Sequence, residues 1–147
     1  MNARANDALG LIELASIARG YRLLDWMVKA SPITVVEANL IEPGKFLILF
    51  GGDVAEVQVA FDVAIENAGD HLLDKLLLPF AHRALWPAIA GTVGTENIDC
   101  LGIVESRTVA SAIAAADRSV KEAEVQLRGL RFTPGLGGKA YYVVSGE

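Results

Sequence analysis

The sequence predicts a mixed α/β protein, an α+β sandwich of two tandem βαββαβ units, the second truncated after its hairpin. Three observations predict it. The chain is internally duplicated, each copy alternates strand, helix and hairpin, and one corner recurs. That corner is "NLIEPGKFLILFGGD" (Asn39–Asp53) in the first copy and "RFTPGLGGKAYYVVSGE" (Arg131–Glu147) in the second.

The duplication is visible residue by residue. "LGLIE" at Leu9–Glu13 matches "LGIVE" at Leu101–Glu105 at an offset of 92, which also brings Ala18 onto Ala110, Asp25 onto Asp117, Val28 onto Val120 and Lys29 onto Lys121. A two-residue insertion in the second turn shifts the offset to 94, and Gly44, Lys45 and Gly52 then meet Gly138, Lys139 and Gly146. Ten identities in order with one gap mark two copies of one unit, placed at residues 8–90 and 100–147.

Each element has a local reason. Short apolar strands, Ala8–Leu14 and Cys100–Glu105, lead into helices for which Ser16 and Thr108 are N-caps, because a hydroxyl accepts from the free N–H groups of a first turn. The stripes Ile17, Tyr21, Leu24, Val28 and Val109, Ile113, Ala116, Val120 have helical spacing and are expected to be buried. The runs Ile33–Leu40 with Phe46–Phe50, and Val125–Phe132 with Tyr141–Val144, are β-branched or aromatic and joined by the recurring corner, which predicts antiparallel hairpins. In the first copy Asp53 caps a helix with apolar face Val54, Val57, Phe61, Ile65 and Ala68, and Gly69 stops it. A strand at Leu72–Leu78 and a short helical segment near Phe80–Ile89 complete that copy, and the Gly-rich, polar Gly91–Asp99 is a linker. The order is that of a sandwich of ferredoxin-like size. The second copy ends at Glu147, the counterpart of Asp53, without an equivalent of the 38 residues Val54 to Gly91. A half-covered sheet exposes apolar strands, so the chain is expected to be part of a longer protein.

Composition narrows the function classes. The chain is 52% hydrophobic with mean hydropathy +0.37, yet no apolar run reaches the ~20 residues that span a bilayer. The apolar surplus is therefore assigned to subunit contacts, not to a membrane. "MNARANDALG" lacks a signal-peptide pattern. The net charge of -5 is spread without a basic run, which argues against a nucleic-acid partner. A single cysteine, Cys100, excludes an internal disulfide. These features fit a cytoplasmic protein.

Few residues suggest chemistry. His82 and Arg83 lie beside Trp86, but one histidine without a nearby Ser, Cys or second His supplies neither a triad nor a metal set. Glu13 and Glu105 each follow a strand and are expected to accept backbone N–H groups at the strand–helix junction rather than to act as an acid–base pair. "GLGG" at Gly135–Gly138 joins two strands instead of opening a helix, so it does not read as a phosphate cradle. Cys100 opens an apolar strand and is placed in the core. No catalytic, metal or cofactor residue is assigned, and the chain is read as not an enzyme.

"ALGLIE", the helix ends "DWMVKA" and "DRSVKE", and the hairpin with "PGKFLILFGGD" together resemble the bacterial microcompartment (BMC) shell-protein domain. Two such domains in one chain resemble the tandem-domain, trimer-forming shell proteins, most of all the propanediol-utilisation type that carries an iron–sulfur cluster. The resemblance implies a structural shell subunit, a homotrimer whose six domains make a pseudo-hexameric tile that joins other shell proteins around encapsulated enzymes. It places the hairpin turns around a central pore for small metabolites or ions. The pore residues it implies are Glu42, Pro43 and Gly44 in the first copy and Leu136, Gly137 and Gly138 in the second; glycine there allows positive φ and brings N–H groups to the rim. It also implies that Lys29 and Lys121 are tile-edge contacts, whereas the residues alone read as i, i+4 pairs with Asp25 and Asp117.

The cluster-bearing relatives have cysteine where this chain has Glu42, and such clusters need thiolates; no cluster is expected. Three Glu42 carboxylates ~8 Å apart at an effective dielectric of ~20 would repel by about 2 kcal/mol per pair, which favours a shared proton or a bound cation. Two other readings remain from the sequence. One is an electron-transfer shell protein with a metal cluster at the pore, and the other is a ferredoxin-like ligand-binding protein without a shell role.

Overall fold

The computed structural model describes residues 6–96, 98–132 and 135–146. The reading of Glu147 as the counterpart of Asp53, and the first five residues of the N-terminal stretch, lie outside the described residues. The chain divides into two units, residues 1–81 and 82–147.

In the first unit the order is β1 (Ala8–Leu14), α1 (Ile17–Ala30), β2 (Thr34–Ile41), β3 (Lys45–Gly52), α2 (Val54–Ala68), a short 3-10 turn (Gly69–His71) and β4 (Leu72–Leu78). The sheet runs β2-β3-β1-β4, with every neighbouring pair antiparallel. Ser16 caps α1 by accepting from the Arg19 N–H at 3.2 Å. Asp53 caps α2 in a full capping box with Glu56. Gly69, at φ 58°, ends α2. Ser31 Oγ donates to the Glu56 carbonyl at 2.8 Å and ties the end of α1 to the start of α2.

The first core gathers Ile12, Leu14, Leu23, Met27, Phe46, Ile48, Phe50 and Val57. The line of α1 that enters it is Gly20, Leu23 and Met27; of the expected stripe Ile17 and Leu24 pack at its margin, whereas Tyr21 is 57% and Val28 44% exposed. Both lines are largely apolar and share one spacing, so the helix period does not choose between them. The choice is made by Phe46, whose ring fills the space at Gly20. Tyr21 instead rests on the same ring from outside, with centroids 4.8 Å apart. On α2 the buried residues are Val57, Ala60, Ala64 and Ala68, with Val54, Phe61 and Ile65 packed at the margin.

In the second unit α3 (Leu85–Ala90) precedes β5 (Cys100–Ser106), α4 (Val109–Glu122), β6 (Gln126–Arg131) and β7 (Ala140–Gly146). The sheet order, β5-β7-β6, is that of β1-β3-β2 in the first unit. Thr108 caps α4 by accepting from the Ser111 N–H at 3.2 Å. On α4 the expected residues Val109, Ile113 and Ala116 are buried.

Two features of this unit differ from expectation. The segment read as the end of the first copy packs, as α3, against β6 and α4, held by the His82 N–H, which donates to Asp117 Oδ1 at 2.7 Å. And β5, the counterpart of the wholly buried β1, is exposed along six of its seven residues, because its outer edge has no paired strand among the described residues. Cys100 is consequently exposed rather than in the core, and its thiol donates to the Gly146 carbonyl at 2.9 Å.

The hairpins share an irregularity. Pairing shifts by one residue between Val35 and Glu37 on β2 and between Leu127 and Gly129 on β6. These positions correspond at the offset of 92, so both copies carry the same β-bulge.

Candidate functional site

The two hairpin turns are the sites that the sequence singles out, and they are built differently. In the first, Ile41 pairs with Lys45, leaving Glu42, Pro43 and Gly44 as a three-residue loop. Gly44 takes φ 77°, the left-handed geometry that closes such a loop in a hairpin. All three residues are exposed, so the Glu42 carboxylate projects from the tip.

The second turn is wider, since the last ladder pair before it is Arg131 with Tyr141. Gly135, Gly137 and Gly138 all have positive φ. The Lys139 N–H donates to the Leu136 carbonyl at 3.1 Å and closes the bend. Gly137 is exposed, Leu136 half-buried and Gly138 buried, so over residues 136–138 the turn offers backbone and the Leu136 side chain.

Behind each turn stands a lysine facing a glutamate from the neighbouring strand. Lys45 Nζ is 4.0 Å from Glu13 Oε2, and Lys139 Nζ donates to Glu105 Oε1 at 2.7 Å. Sequence reasoning had these glutamates bonding to backbone at the strand end and did not foresee the lysine partners. The signal was available: Glu13 and Lys45 recur together as Glu105 and Lys139.

Lys29 and Lys121 occupy matching helix ends. Lys29 Nζ pairs with Asp25 at 2.7 Å on an open surface. Lys121 pairs with Asp117 at 2.6 Å, where the carboxylate is buried and also accepts from the His82 N–H. His82 Nδ1 accepts from the Ala84 N–H at 3.2 Å, a role in the local bend. Among the described residues no group of three or more His, Cys, Asp or Glu side chains could hold a metal ion, and no helix is long and apolar enough to cross a membrane.

The BMC domain family model matches residues 8–81 and 100–147, which take in both sheets, β1 to β4 and β5 to β7. The chain belongs to the BMC domain family. It is 42% identical over 142 residues to the bacterial microcompartment shell protein PduT of Citrobacter freundii, covering 97% of this chain and 77% of that one. A solved microcompartment protein from Desulfitobacterium hafniense superposes with a TM-score of 0.86 at 37% identity, over 97% of this chain and 79% of that one. A fused permuted hexameric shell protein of the RMM microcompartment shares the fold, with a TM-score of 0.69 at 19% identity over 99% of this chain and 76% of that one. As a BMC-domain protein with such relatives, the chain is a structural subunit of a bacterial microcompartment shell. The residues at the BMC hairpin turns do not fit an iron–sulfur cluster. The tip of the first carries a carboxylate, and the sole thiol of the sequence is on β5, bonded to Gly146.

Proposed function

We propose that three copies of this chain close into a pseudo-hexamer that tiles a microcompartment facet and is not an enzyme. In this reading the turns Glu42–Gly44 and Leu136–Gly138 surround a central opening for small metabolites or ions, and Lys29 and Lys121 meet neighbouring tiles. Other shell proteins are the lateral partners, and enzymes are enclosed. The observation that supports the reading is the repeated unit: the sheet order β5-β7-β6 repeats β1-β3-β2 and places a hairpin at the corresponding point of each unit, so six corners are available from three chains. Closed rings need a complementary contact on each side of every member, and exposed Tyr21, Val28, Leu40 and Leu73 supply apolar surface for such contacts.

The opening would be lined alternately by a carboxylate tip and a glycine tip. Selectivity then comes from width and lining charge, as in channels. Electron microscopy of the purified protein tests the reading: hexagonal discs with three-fold centres and extended sheets are expected, and a lone monomer overturns it. A pore-centred electron carrier is the weaker reading, because the first turn offers Glu42 where a cluster requires sulfur.

A further inference from the structure

His82 holds the entry to α3 through three of its own groups. Its N–H donates to Asp117 Oδ1 at 2.7 Å. Its carbonyl accepts from the Leu85 N–H at 3.0 Å. Its imidazole Nδ1 accepts from the Ala84 N–H at 3.2 Å. The third bond matters because Ala84, the N-cap of α3, makes no side-chain cap bond of its own. A side-chain acceptor that reaches the backbone two residues on is what asparagine and aspartate supply in turns. Histidine supplies it only while Nδ1 keeps its lone pair, since both ring nitrogens of a protonated imidazole are donors. Beyond the bend Leu85 and Ala88 are buried, and α3 packs on β6 and α4.

We propose that His82 is an acid-sensitive latch: protonation of Nδ1 removes the acceptor of the Ala84 N–H and loosens α3 from β6 and α4. The docked form binds no proton at Nδ1 and the loosened form does, so falling pH favours the loosened form. The charges around the bend supply no substitute. On α4, Asp117 is engaged by Lys121 at 2.6 Å. On β6, Arg131 stands at the far end of α3, its Nη1 3.4 Å from a Cβ added at Gly91. Arg83, next in the chain, is exposed, and the Ala81 N–H donates to the carbonyl of exposed Asp7 at 2.8 Å. The carboxylates among these attract an imidazolium, but none turns its Nδ1–H back into an acceptor. The consequence falls on the connector. Since α3 lies in the chain between β4 and β5, acid gives slack to the segment that joins the two units. The device is internal to one chain and does not depend on the ring proposed above.

Hydrogen–deuterium exchange on the full chain tests the proposal. As pH falls from about 8 to about 5, the range over which imidazole gains its charge, exchange at Ala84, Leu85 and Ala88 should accelerate several-fold relative to the intrinsic rate at each pH. Leu23 and Met27, buried on α1, and Ala112 and Ile113, buried on α4, should keep constant protection. His82→Asn places a non-titrating acceptor two residues before the same N–H and should keep α3 protected at both pH values. His82→Ala should show the fast exchange at both. The sequence has one other histidine, His71, and His71→Asn should leave the response as it is. A response that survives His82→Asn or vanishes in His71→Asn overturns the proposal. So do full protection in His82→Ala, unchanged protection of the wild type at low pH, and equal acceleration in α1 and α4.

Discussion

Gly20 lies directly under the ring of Phe46: a Cβ added at Gly20 would stand 2.3 Å from Phe46 Cδ1. Glycine inside a helix costs about 1 kcal/mol relative to alanine, and here it is kept because α1 approaches β3 that closely. Gly10 stands in the same relation to Phe50, with Cζ at 2.3 Å from the added atom. Both rings are fully buried and have no room to retreat.

Gly20→Ala and Gly10→Ala are therefore expected to destabilise by about 1–3 kcal/mol each, the usual cost of overpacking, although helix propensity alone favours alanine at position 20. Denaturant unfolding checks this. A stabilised Gly20→Ala would show that the contact is slack.

Asp117 and Asp25 are equivalent in the repeat but not in their work. Asp117 is buried and accepts from both the His82 N–H and Lys121. Asp117→Ala should cost about 1–3 kcal/mol through the donor it strands. Asp25→Ala removes an exposed i, i+4 pair worth about 0.3–0.5 kcal/mol. Matched unfolding curves for the two variants would contradict the asymmetry.

Asp53→Ala removes the capping box that opens α2. A loss of about 0.5–2 kcal/mol is expected, read in the same unfolding assay, with Asp53→Asn retaining most of the stability.

Glu42→Gln tests the lining charge of the proposed opening. Wild-type sheets should pass small cations faster than anions of like size, and the variant should narrow that difference. Equal permeation of both ions through both proteins would remove Glu42 from the lining.

Lys29→Ala combined with Lys121→Ala should leave the individual disc intact and abolish extended sheets under the electron microscope. The two lysines are not expected to contribute equally, because Lys121 is tied to buried Asp117 while Lys29 stands free of the core.

What could be read from the sequence was what local chemistry decides. β1 and β4 fall at Ala8–Leu14 and Leu72–Leu78 as expected, because each is rich in aliphatic residues and is preceded by a polar residue, Asp7 or His71. The caps Ser16, Thr108 and Asp53 were legible for the same reason. What could not be read depended on partners. Which apolar line of α1 is buried was settled by Phe46, a residue on another element. Cys100 belongs to an apolar strand and is nevertheless exposed, since burial requires neighbours on both sides of β5. The segment before Gly91 was assigned by proximity in the chain to the first copy, whereas Asp117 draws it to the second. Of the site, the turn residues and their glycines were legible. The lysine–glutamate pairs were missed because a strand-end carboxylate has an obvious local use.

The bulges after Val35 and Leu127 have a consequence for mutational scanning. On β2 the residues on the helix side of the sheet change from odd to even numbers, from Val35 to Ala38 and Leu40, as their partners Phe50, Ile48 and Phe46 show. On β6 the same switch runs from Leu127 to Leu130. A tolerance profile along either strand should therefore show a phase slip, at Val36 and at Arg128, that no strict alternation anticipates. Since the slip occupies the same place in both units, the two profiles should break at equivalent positions of the repeat.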